Sequence, residues 1–531
     1  MSRPLCLVNG RVATMNPALP WAEAVLADGP MIRFVGDSRT ARSEAGPGAE
    51  IIDVDGRLVL PGFVDNHTHF LEGGFHLEGL DLRPCRSRQA FIETIGAYVK
   101  RGAGNWVTGG DWDEQSWGDP VLPRKEWIDG VTGSTPVFVR RFDGHLALAN
   151  TTALERAGIS RTTPDPPGGT VDRDPASGEP TGILRDAAME LVYAVVPPQS
   201  DAAYDRALAL ALDHARRNGI TSIHDITLRP DLAAFQRMEE RGGLTCRVFA
   251  RLPLAEYRWC IERGITTGSG SALLRLGSLK AFADGSLGSR TALFFEPYRD
   301  DPSTAGLAME VLTSGRLRQW ALEADRNQLQ LSIHAIGDRA IDSILSLFEE
   351  IVRVNPPWDR RFRIEHAQHL RRQDLERFRA LEVIVSAQPY HAIDDGVWAE
   401  RRIGPERLPG AFAFRSYLEA GVRVCFGSDW TVAPLDALAG IHAAVTRQTL
   451  DGRHPGGWIP QERLTVEQAL LAYTATGAYA SFEESIKGHL APGTYADLVV
   501  LDRNLFTVEP AEIREARVDM TVFAGQVVFS R

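Results

Sequence analysis

Eight short apolar runs, separated by longer amphipathic stretches, occupy the middle of the chain, and this pattern restricts the fold more than any other feature. The runs are rich in Val, Ile, Leu and Phe, which is typical of strands buried on both faces of a parallel sheet. Their alternation with helices predicts an α/β fold, and eight such strands predict a closed (β/α)8 TIM barrel. The predicted strands are Leu58–Asn66, Ile220–Asp225, Arg247–Leu252, Leu276–Ala283, Leu329–Ala335, Phe362–His366, Val383–Gln388 and Val422–Ser428. The clearest predicted helices are Asp201–Asn218, Ser314–Asn327, Arg339–Val354 and Arg371–Ala380.

The two ends of the chain have a different pattern from the middle. Short β-like runs there are punctuated by turn pairs such as Asn9-Gly10, Asp55-Gly56 and Ala524-Gly525. Two unrelated β segments would leave the same pattern, but we expect the ends to pair. The predicted organisation is a small composite β-sandwich domain from residues 1–59 and 486–531, and a barrel domain from residues 60–485.

A long segment of different composition separates the first predicted strand from the second. It has loops rich in Pro and Gly, and four tryptophans, Trp106, Trp112, Trp117 and Trp127. We interpret it as a large insertion, about residues 70–215, near the barrel mouth. Its tryptophans either cover a substrate, with Trp112 as the candidate contact, or form the insertion's own core.

Composition and charge exclude several classes of protein. Hydrophobic residues make up 44% of the chain and charged residues 24%, as in globular proteins. The net charge of −11 argues against nucleic acid or an anionic membrane as a partner. The apolar runs are shorter than the roughly 20 residues of a membrane span, and residues 1–11 contain no signal core. Because the five cysteines are scattered without a CxxC pair, we expect a soluble, cytoplasmic protein.

Histidines lie at the predicted carboxyl ends of the barrel strands, where barrel active sites form. His67 and His69 are two residues apart, so both face the same side of one strand and can reach one metal ion. Imidazole suits zinc and other borderline divalent metals. His334 and His366 end later strands. A lone histidine there is usually a hydrogen-bonded core residue, but four among 13 histidines indicate a metal site.

Two further residues point to the same chemistry. Asp429 ends the last predicted strand and is either a ligand or the N-cap of the next helix. Lys280 lies inside the fourth predicted strand, where an ammonium group is costly unless it is paired or chemically altered. A salt bridge to a carboxylate at the barrel mouth is the simpler alternative for Lys280.

The chain resembles the amidohydrolase superfamily in the order of its candidate ligands, which are His67, His69, Lys280, His334, His366 and Asp429. Further motifs are similar to amidohydrolase family three, the YtcJ-like branch that includes N-substituted formamide deformylases. The motifs are Pro61–His69, Asp143–His145, Gly182–Asp186, Lys280–Arg290, His334–Arg339, Arg363–Gln368, Gln388–His391, Gly427–Trp430 and Pro492–Leu501. The resemblance covers nearly the whole chain. It implies a barrel hydrolase with a bound metal centre and a β-sandwich made from both termini.

The resemblance also implies roles for individual residues. His67, His69 and Asp429 would bind the more buried ion, and His334 and His366 a second one. Lys280 would bridge both ions as an N-carboxylated lysine, in a binuclear centre that is expected to hold zinc. Some family members use one metal ion, and in that case Lys280 would be unmodified. Asp429 would take the proton from the nucleophilic water and pass it to the leaving nitrogen.

Fewer residues are candidates for contact with the substrate than for metal binding. His145, which follows Asp143-Gly144, either binds and polarises the substrate carbonyl or makes hydrogen bonds within its loop. Tyr390 and His391 follow the seventh predicted strand and are expected to line the pocket. Asp284 and Arg290 either orient the Lys280 segment or only pack there.

The predicted function is metal-dependent hydrolysis of a carbon–nitrogen bond other than a peptide bond. An amide or formamide in a small molecule would be cleaved by a metal-activated hydroxide. Alternatives are a deaminase or cyclic amide hydrolase on the same site, and a non-catalytic scaffold or binding protein. A Ser-His-Asp hydrolase is disfavoured because the chain has no GxSxG elbow. A homodimer is a further expectation from the resemblance.

Overall fold

Eight parallel strands form a nearly closed barrel in the computed structural model, which describes residues 3–102, 106–114, 117–119, 121–141, 146–166 and 169–531. Each strand pairs with the one before it in the chain, and the eighth returns to the first through a bridge between Thr68 and Trp430. The barrel strands are Phe63–Thr68, Ile220–Ile226, Arg247–Pro253, Leu274–Phe282, Gln330–Ala335, Arg363–His366, Ile384–Ala387 and Val424–Phe426. The predicted barrel is therefore confirmed. A short strand, Ser269–Gly270, pairs antiparallel with the fourth barrel strand.

The first predicted strand, Leu58–Asn66, was wrong as a single element because the structure divides it in two. Leu58–Pro61 belongs to a sheet outside the barrel, and only Phe63–Thr68 is a barrel strand. The division falls at Gly62, where an added Cβ would clash with the side chain of Thr221. Pro61, which has no N–H to donate, ends the first of these two strands.

The two ends of the chain form a β-sandwich. A six-stranded sheet has the order Gln526–Ser530, Val518–Phe523, Leu498–Leu501, Leu58–Pro61, Arg11–Ala13 and Trp21–Ala22. A four-stranded sheet has the order Met31–Gly36, Ala24–Asp28, Leu5–Val8 and Glu50–Asp53. The termini meet where Leu498–Leu501 pairs antiparallel with Leu58–Pro61. Leu7 and Val25 of one sheet and Val59 and Val500 of the other share one apolar core.

Helices follow most barrel strands and bury one face each. In Asp338–Val354, the buried positions include Ile341, Ile344, Leu345 and Phe348, with the spacing of one helical face. The predicted helix Arg371–Ala380 is a 3-10 turn, Arg372–Asp374, followed by the α-helix Leu375–Ala380. The other α-helices of this part are Ser38–Ala45, Asp201–Arg217, Arg229–Glu240, Tyr257–Glu262, Glu310–Thr313, Arg316–Arg326, Pro389–Asp395, Ala399–Ile403, Phe414–Glu419, Ala437–Thr446, Val466–Ala472 and Ala475–Ala480. Among the described residues, no helix has both the length and the apolar composition needed to cross a bilayer.

The chain divides into two compact units: Met1–Leu71 with Ala211–Arg531, and Glu72–Leu210. The second unit follows the first barrel strand in the chain, at the position where the sequence predicts an insertion. Its sheet has the order Gly169–Arg173, Pro180–Asp186, Leu146–Ala149, Val137–Arg141, Val107–Trp112 and Leu80–Asp81. The α-helices of this region are Phe70–Glu78, Arg88–Lys100, Lys125–Thr132, Thr151–Arg156 and Glu190–Tyr193. Trp112, Trp117 and Trp127 belong to an apolar cluster of this unit.

Candidate metal centre

Side chains from the ends of the first, sixth and eighth strands meet at the carboxyl end of the barrel. His67, His366 and Asp429 are buried, and each offers a ligand atom within 4.8 Å of the other two. The Asp429 carboxylate lies 3.5 Å from Nε2 of His67 and 3.4 Å from Nε2 of His69. The ring centroid of His366 lies 4.8 Å from that of His67 and 4.5 Å from that of His334. The structure thus brings together the histidines and the aspartate that the sequence singled out.

Barrel closure positions Asp429 beside His67. The backbone N–H of Asp429 donates to the carbonyl of His67 at 2.7 Å, and that of His69 donates to Trp430 at 2.8 Å. Strand eight comes so close here that a Cβ on Gly427 would lie 2.5 Å from the backbone nitrogen of His67. Asp429 itself has φ +59°, a left-handed conformation that turns the chain at the barrel mouth.

In three of these histidines, one ring nitrogen makes a hydrogen bond to an acceptor outside the cluster. Nδ1 of His67 hydrogen-bonds to the Glu365 carboxylate, and Nδ1 of His366 to Oε1 of Gln388 at 2.8 Å. Nε2 of His334 hydrogen-bonds to the carbonyl of Gly285 at 3.1 Å, and its Nδ1 is buried without a hydrogen-bond partner among the described residues. Metal-ligating histidines usually donate their second N–H in this way, because the bond sets the tautomer and the ring orientation.

Glu365 and two arginines form a buried ion network that sequence reasoning missed. Glu365 is fully buried and accepts hydrogen bonds from Ser332 at 2.6 Å and from Nε of Arg363 at 3.0 Å, besides its bond with His67. Nη1 of Arg251 lies 2.9 Å from the same carboxylate. Burial raises the pKa of Glu365, but Arg251 and Arg363 outweigh it and hold the pKa well below its usual range. The sequence signal was the pair Arg363 and Glu365, two charged residues on one face of a buried strand.

The Lys280 amine is buried in the same barrel without a hydrogen-bond partner among the described residues. Burial lowers its pKa to about 7, although Glu365 opposes the shift. No carboxylate in the described part of the chain forms the salt bridge with Lys280 that the sequence left as an alternative. Lys280 lies two residue pairs before His334 along the strands, because Lys280 pairs with Ser332 and Phe282 with His334 in the strand register. A buried amine with a depressed pKa is nucleophilic, and it is poorly stabilised as a cation.

The titration states of the cluster suit metal binding. Burial lowers the pKa of His67 to about 3, with a further contribution from the Lys280 charge, and it lowers the pKa of His366 well below its usual value. Burial raises the pKa of Asp429, but His67, His69 and other histidines hold it well below its ordinary value. Neutral imidazoles and an ionised carboxylate are the forms that bind a metal ion. Three or more such ligands with clustered donor atoms fit a zinc-type ion.

The other candidate residues are placed as follows. Nε2 of His391 lies 3.9 Å from the Asp429 carboxylate, and Tyr390 precedes it in the helix Pro389–Asp395. His145 lies outside the described residues. Trp112 is fully buried in the insertion unit and donates its indole N–H to the Val139 carbonyl at 2.9 Å. This burial favours the core role of Trp112 over contact with a substrate.

Asp284 and Arg290 contact different parts of the protein. The buried Asp284 carboxylate accepts the backbone N–H groups of Ile336 at 3.0 Å and Gly337 at 2.9 Å, so it anchors the loop that follows His334. Arg290 instead pairs with Asp300 at 3.0 Å. Asp284 therefore organises the segment around the cluster, and Arg290 takes part in a separate ion pair.

A family model described as the amidohydrolase family matches residues 50–529. The chain belongs to the amidohydrolase family. This amidohydrolase is 37% identical over 514 residues to Protein LONG AFTER FAR-RED 3 of Arabidopsis thaliana, covering 94% of this chain and 87% of that protein. It is 32% identical to the putative amidohydrolase YtcJ of Bacillus subtilis, covering 98% of this chain and 99% of that one. It is 29% identical to the N-substituted formamide deformylase of Arthrobacter pascens, covering 100% and 99%.

A solved structure supports the same assignment. An uncharacterized metal-dependent hydrolase from Pyrococcus furiosus superimposes with a TM-score of 0.80 and 31% sequence identity, covering 95% of this chain and 100% of that one. The family predicted from the motifs is thus confirmed. The amidohydrolase is accordingly a metal-dependent hydrolase acting on carbon–nitrogen bonds.

Proposed function

We propose that this amidohydrolase cleaves an amide- or formamide-type bond in a small molecule at the cluster around Asp429. The observation that carries the proposal is the convergence of buried donor atoms from His67, His366 and Asp429 within 4.8 Å at the carboxyl end of the barrel. The N-substituted formamide deformylase of Arthrobacter pascens, aligned over the full chain, supports an amide-type bond as the target. The proposed ligands are His67, His69, Lys280, His334, His366 and Asp429.

The proposed ion is zinc, as one ion or two. Bound there, a divalent ion would lower the pKa of a coordinated water and polarise the scissile carbonyl. Lys280 would add two oxygen ligands as its N-carboxylate. The reason is its buried amine, which has no hydrogen-bond partner among the described residues and whose lowered pKa of about 7 favours the neutral form that reacts with carbon dioxide. Incorporation of ¹³C from labelled bicarbonate, lost in Lys280→Arg, would support the carboxylate. A bare amine in metal-loaded protein would contradict it.

Asp429 is the proposed proton acceptor. Its carboxylate is ionised at neutral pH, because neighbouring histidines hold its pKa well below the ordinary value despite burial. It can therefore take a proton from water at the start of attack and deliver it to the leaving nitrogen. His391 lies 3.9 Å away, and with Tyr390 it is the proposed substrate-side neighbour. His145, by family resemblance, is proposed to bind the substrate carbonyl.

Metal analysis and substrate turnover together test the function. Purified protein should contain a divalent metal and hydrolyse members of a panel of N-formyl and N-acyl amines. Chelation should abolish turnover, and zinc should restore it. His67→Ala should lower metal content and rate, whereas the control His454→Ala, in a partly exposed turn, should change neither. Turnover confined to cyclic amides or aminated heterocycles would favour the alternative activities. Metal-loaded protein inactive on the whole panel would contradict hydrolysis.

We further propose a cytoplasmic location, a homodimer and a two-domain division into residues 1–59 with 486–531 and residues 60–485. The five cysteines are all buried and none of them is in a disulfide bond, which supports a reducing compartment. Cell fractionation, sedimentation equilibrium and limited proteolysis would test the three expectations separately.

A further inference from the structure

Phe282 is the one exposed residue in the eight barrel strands, all of whose residues are described. It is 42% exposed at the end of the fourth strand, whereas its neighbours Ala281 and Ala283 are buried. An isolated apolar side chain on an outer surface needs no explanation. Phe282, however, is exposed at the carboxyl end of a barrel strand, which is where barrel enzymes bind their substrates.

The Phe282 ring flanks the candidate metal centre. Because Phe282 lies two residues after Lys280, both side chains are on the same side of the strand. The ring centroid is 4.6 Å from Nζ of Lys280 and 5.2 Å from the ring centroid of His334. One part of the aromatic ring thus packs against proposed ligands, and another part is open to solvent.

Exposed apolar side chains also follow two other barrel strands. Leu228, two residues after the second strand, is 54% exposed, and Val432, after the eighth strand, is 69% exposed. The cation next to Leu228 is engaged elsewhere, since Arg229 lies 3.4 Å from the ring centroid of Trp259 and pairs with Glu256. These segments therefore present apolar side chains to solvent at the end of the barrel that carries the candidate metal centre.

We propose that Phe282 is a substrate-contacting residue on which an apolar, preferably aromatic, substituent of the amide packs while the scissile bond lies at the metal centre. The inference rests on the proposed function and narrows its substrate class to amides with an apolar substituent. Contact between two aromatic rings is worth about tenfold in affinity. Covering the open part of the ring would also remove apolar surface from water.

A purely structural role predicts a different result. If the ring only shields the Lys280 amine, its removal should lower metal content and affect all substrates equally. If the ring contacts the substrate, its removal should lower selectivity for apolar substituents and leave metal content unchanged. Metal content and selectivity must therefore be measured on the same preparations.

The kinetic experiment compares N-(2-phenylethyl)formamide with N-ethylformamide. Wild-type protein should prefer the phenyl substrate in kcat/KM, and Phe282→Ala should reduce this preference about tenfold, mainly through KM. Phe282→Tyr, which keeps the ring, should retain the preference. Phe295→Ala is the matched control, because Phe295 is 43% exposed but its ring lies 4.3 Å from the Arg371 guanidinium instead of a proposed ligand.

A binding experiment separates this inference from the proposed function. Benzohydroxamate and acetohydroxamate share a metal-chelating group and differ in the apolar part, so calorimetry on metal-loaded protein needs no turnover. Wild type should bind benzohydroxamate about tenfold more tightly, and Phe282→Ala should lose the difference. That result without hydrolysis of any N-formyl or N-acyl amine would refute the proposed function and keep the role of Phe282. Equal or undetectable binding of both probes by wild type, or an unchanged preference in Phe282→Ala, would overturn the inference.

Discussion

Replacing His369 with leucine should make the protein lose less stability between pH 7 and pH 5. His369 is 3% exposed, and neither ring nitrogen has a hydrogen-bond partner among the described residues. The ring packs against Phe294 and Phe412, with centroid distances of 5.2 and 6.0 Å. Burial lowers the pKa of His369 to about 3, and the charge of Arg407 lowers it further. The folded protein therefore holds this imidazole neutral over the whole range from pH 7 to pH 5.

The size of the effect follows from proton linkage. In the unfolded chain the pKa of histidine is about 6.5, so below that pH the unfolded state binds a proton that the folded state does not. His369 thus lowers the free energy of unfolding as pH falls, by about 1.4 kcal/mol per unit once the unfolded histidine is fully protonated. Between pH 7 and pH 5 the loss is about 2 kcal/mol. The value is nearly the same for any folded pKa below about 4.

Denaturant unfolding followed by tryptophan fluorescence at both pH values provides the measurement. Other buried histidines contribute equally to wild type and His369→Leu, so the two pH differences are subtracted. Any pH-independent cost of the substitution also cancels. Phe412→Leu is the control, because it alters the same apolar cluster without removing a titratable group. If His369→Leu and wild type show the same pH dependence within about 0.5 kcal/mol, the assignment of His369 as a buried neutral histidine is refuted.

Three further predictions concern the cluster itself. Glu365→Gln should weaken metal binding about 10–100-fold in competition with a chelating dye, because His67 loses its carboxylate acceptor; unchanged affinity would show that this bond is dispensable. Asp429→Asn should lower kcat by about 10²–10⁴-fold in preparations matched for bound metal, and a near-native rate would place the base elsewhere. Gly427→Ala should cost about 1–3 kcal/mol in denaturant unfolding and reduce metal content, since the new Cβ would press on the backbone of His67; unaltered stability would mean that this contact relaxes freely.

Much of the fold can be predicted from the sequence because it depends on local patterns of residues. Most positions of each barrel strand are buried, so each of the eight strands appears in the sequence as an apolar run. The spacing of His67 and His69 is likewise local, because alternate residues on a strand share a face. Motif order carried the family assignment, which the match over residues 50–529 confirms.

Other features depended on which distant segments meet. The apolar run Leu58–Asn66 gave no sign that it would divide between two sheets at Gly62, since that division depends on close packing against Thr221. The exposure of side chains was also not predictable: Trp112 is buried, although the sequence left contact with a substrate open for it, and Phe282 is exposed, although it belongs to an apolar run.

The buried network around Glu365 shows the physical reason most clearly. Residue types alone indicate that Arg251, Arg363 and Glu365 carry charge, and such residues are ordinarily exposed. Their burial is tolerable only because barrel closure brings strands one, three and six together, so that His67, Arg251 and Arg363 satisfy one carboxylate. Sequence determined which chemical groups the chain carries and on which strand each one lies. Tertiary structure alone decided which of them become partners, because hydrogen bonds and ion pairs act over a few ångströms between residues that are far apart in the chain.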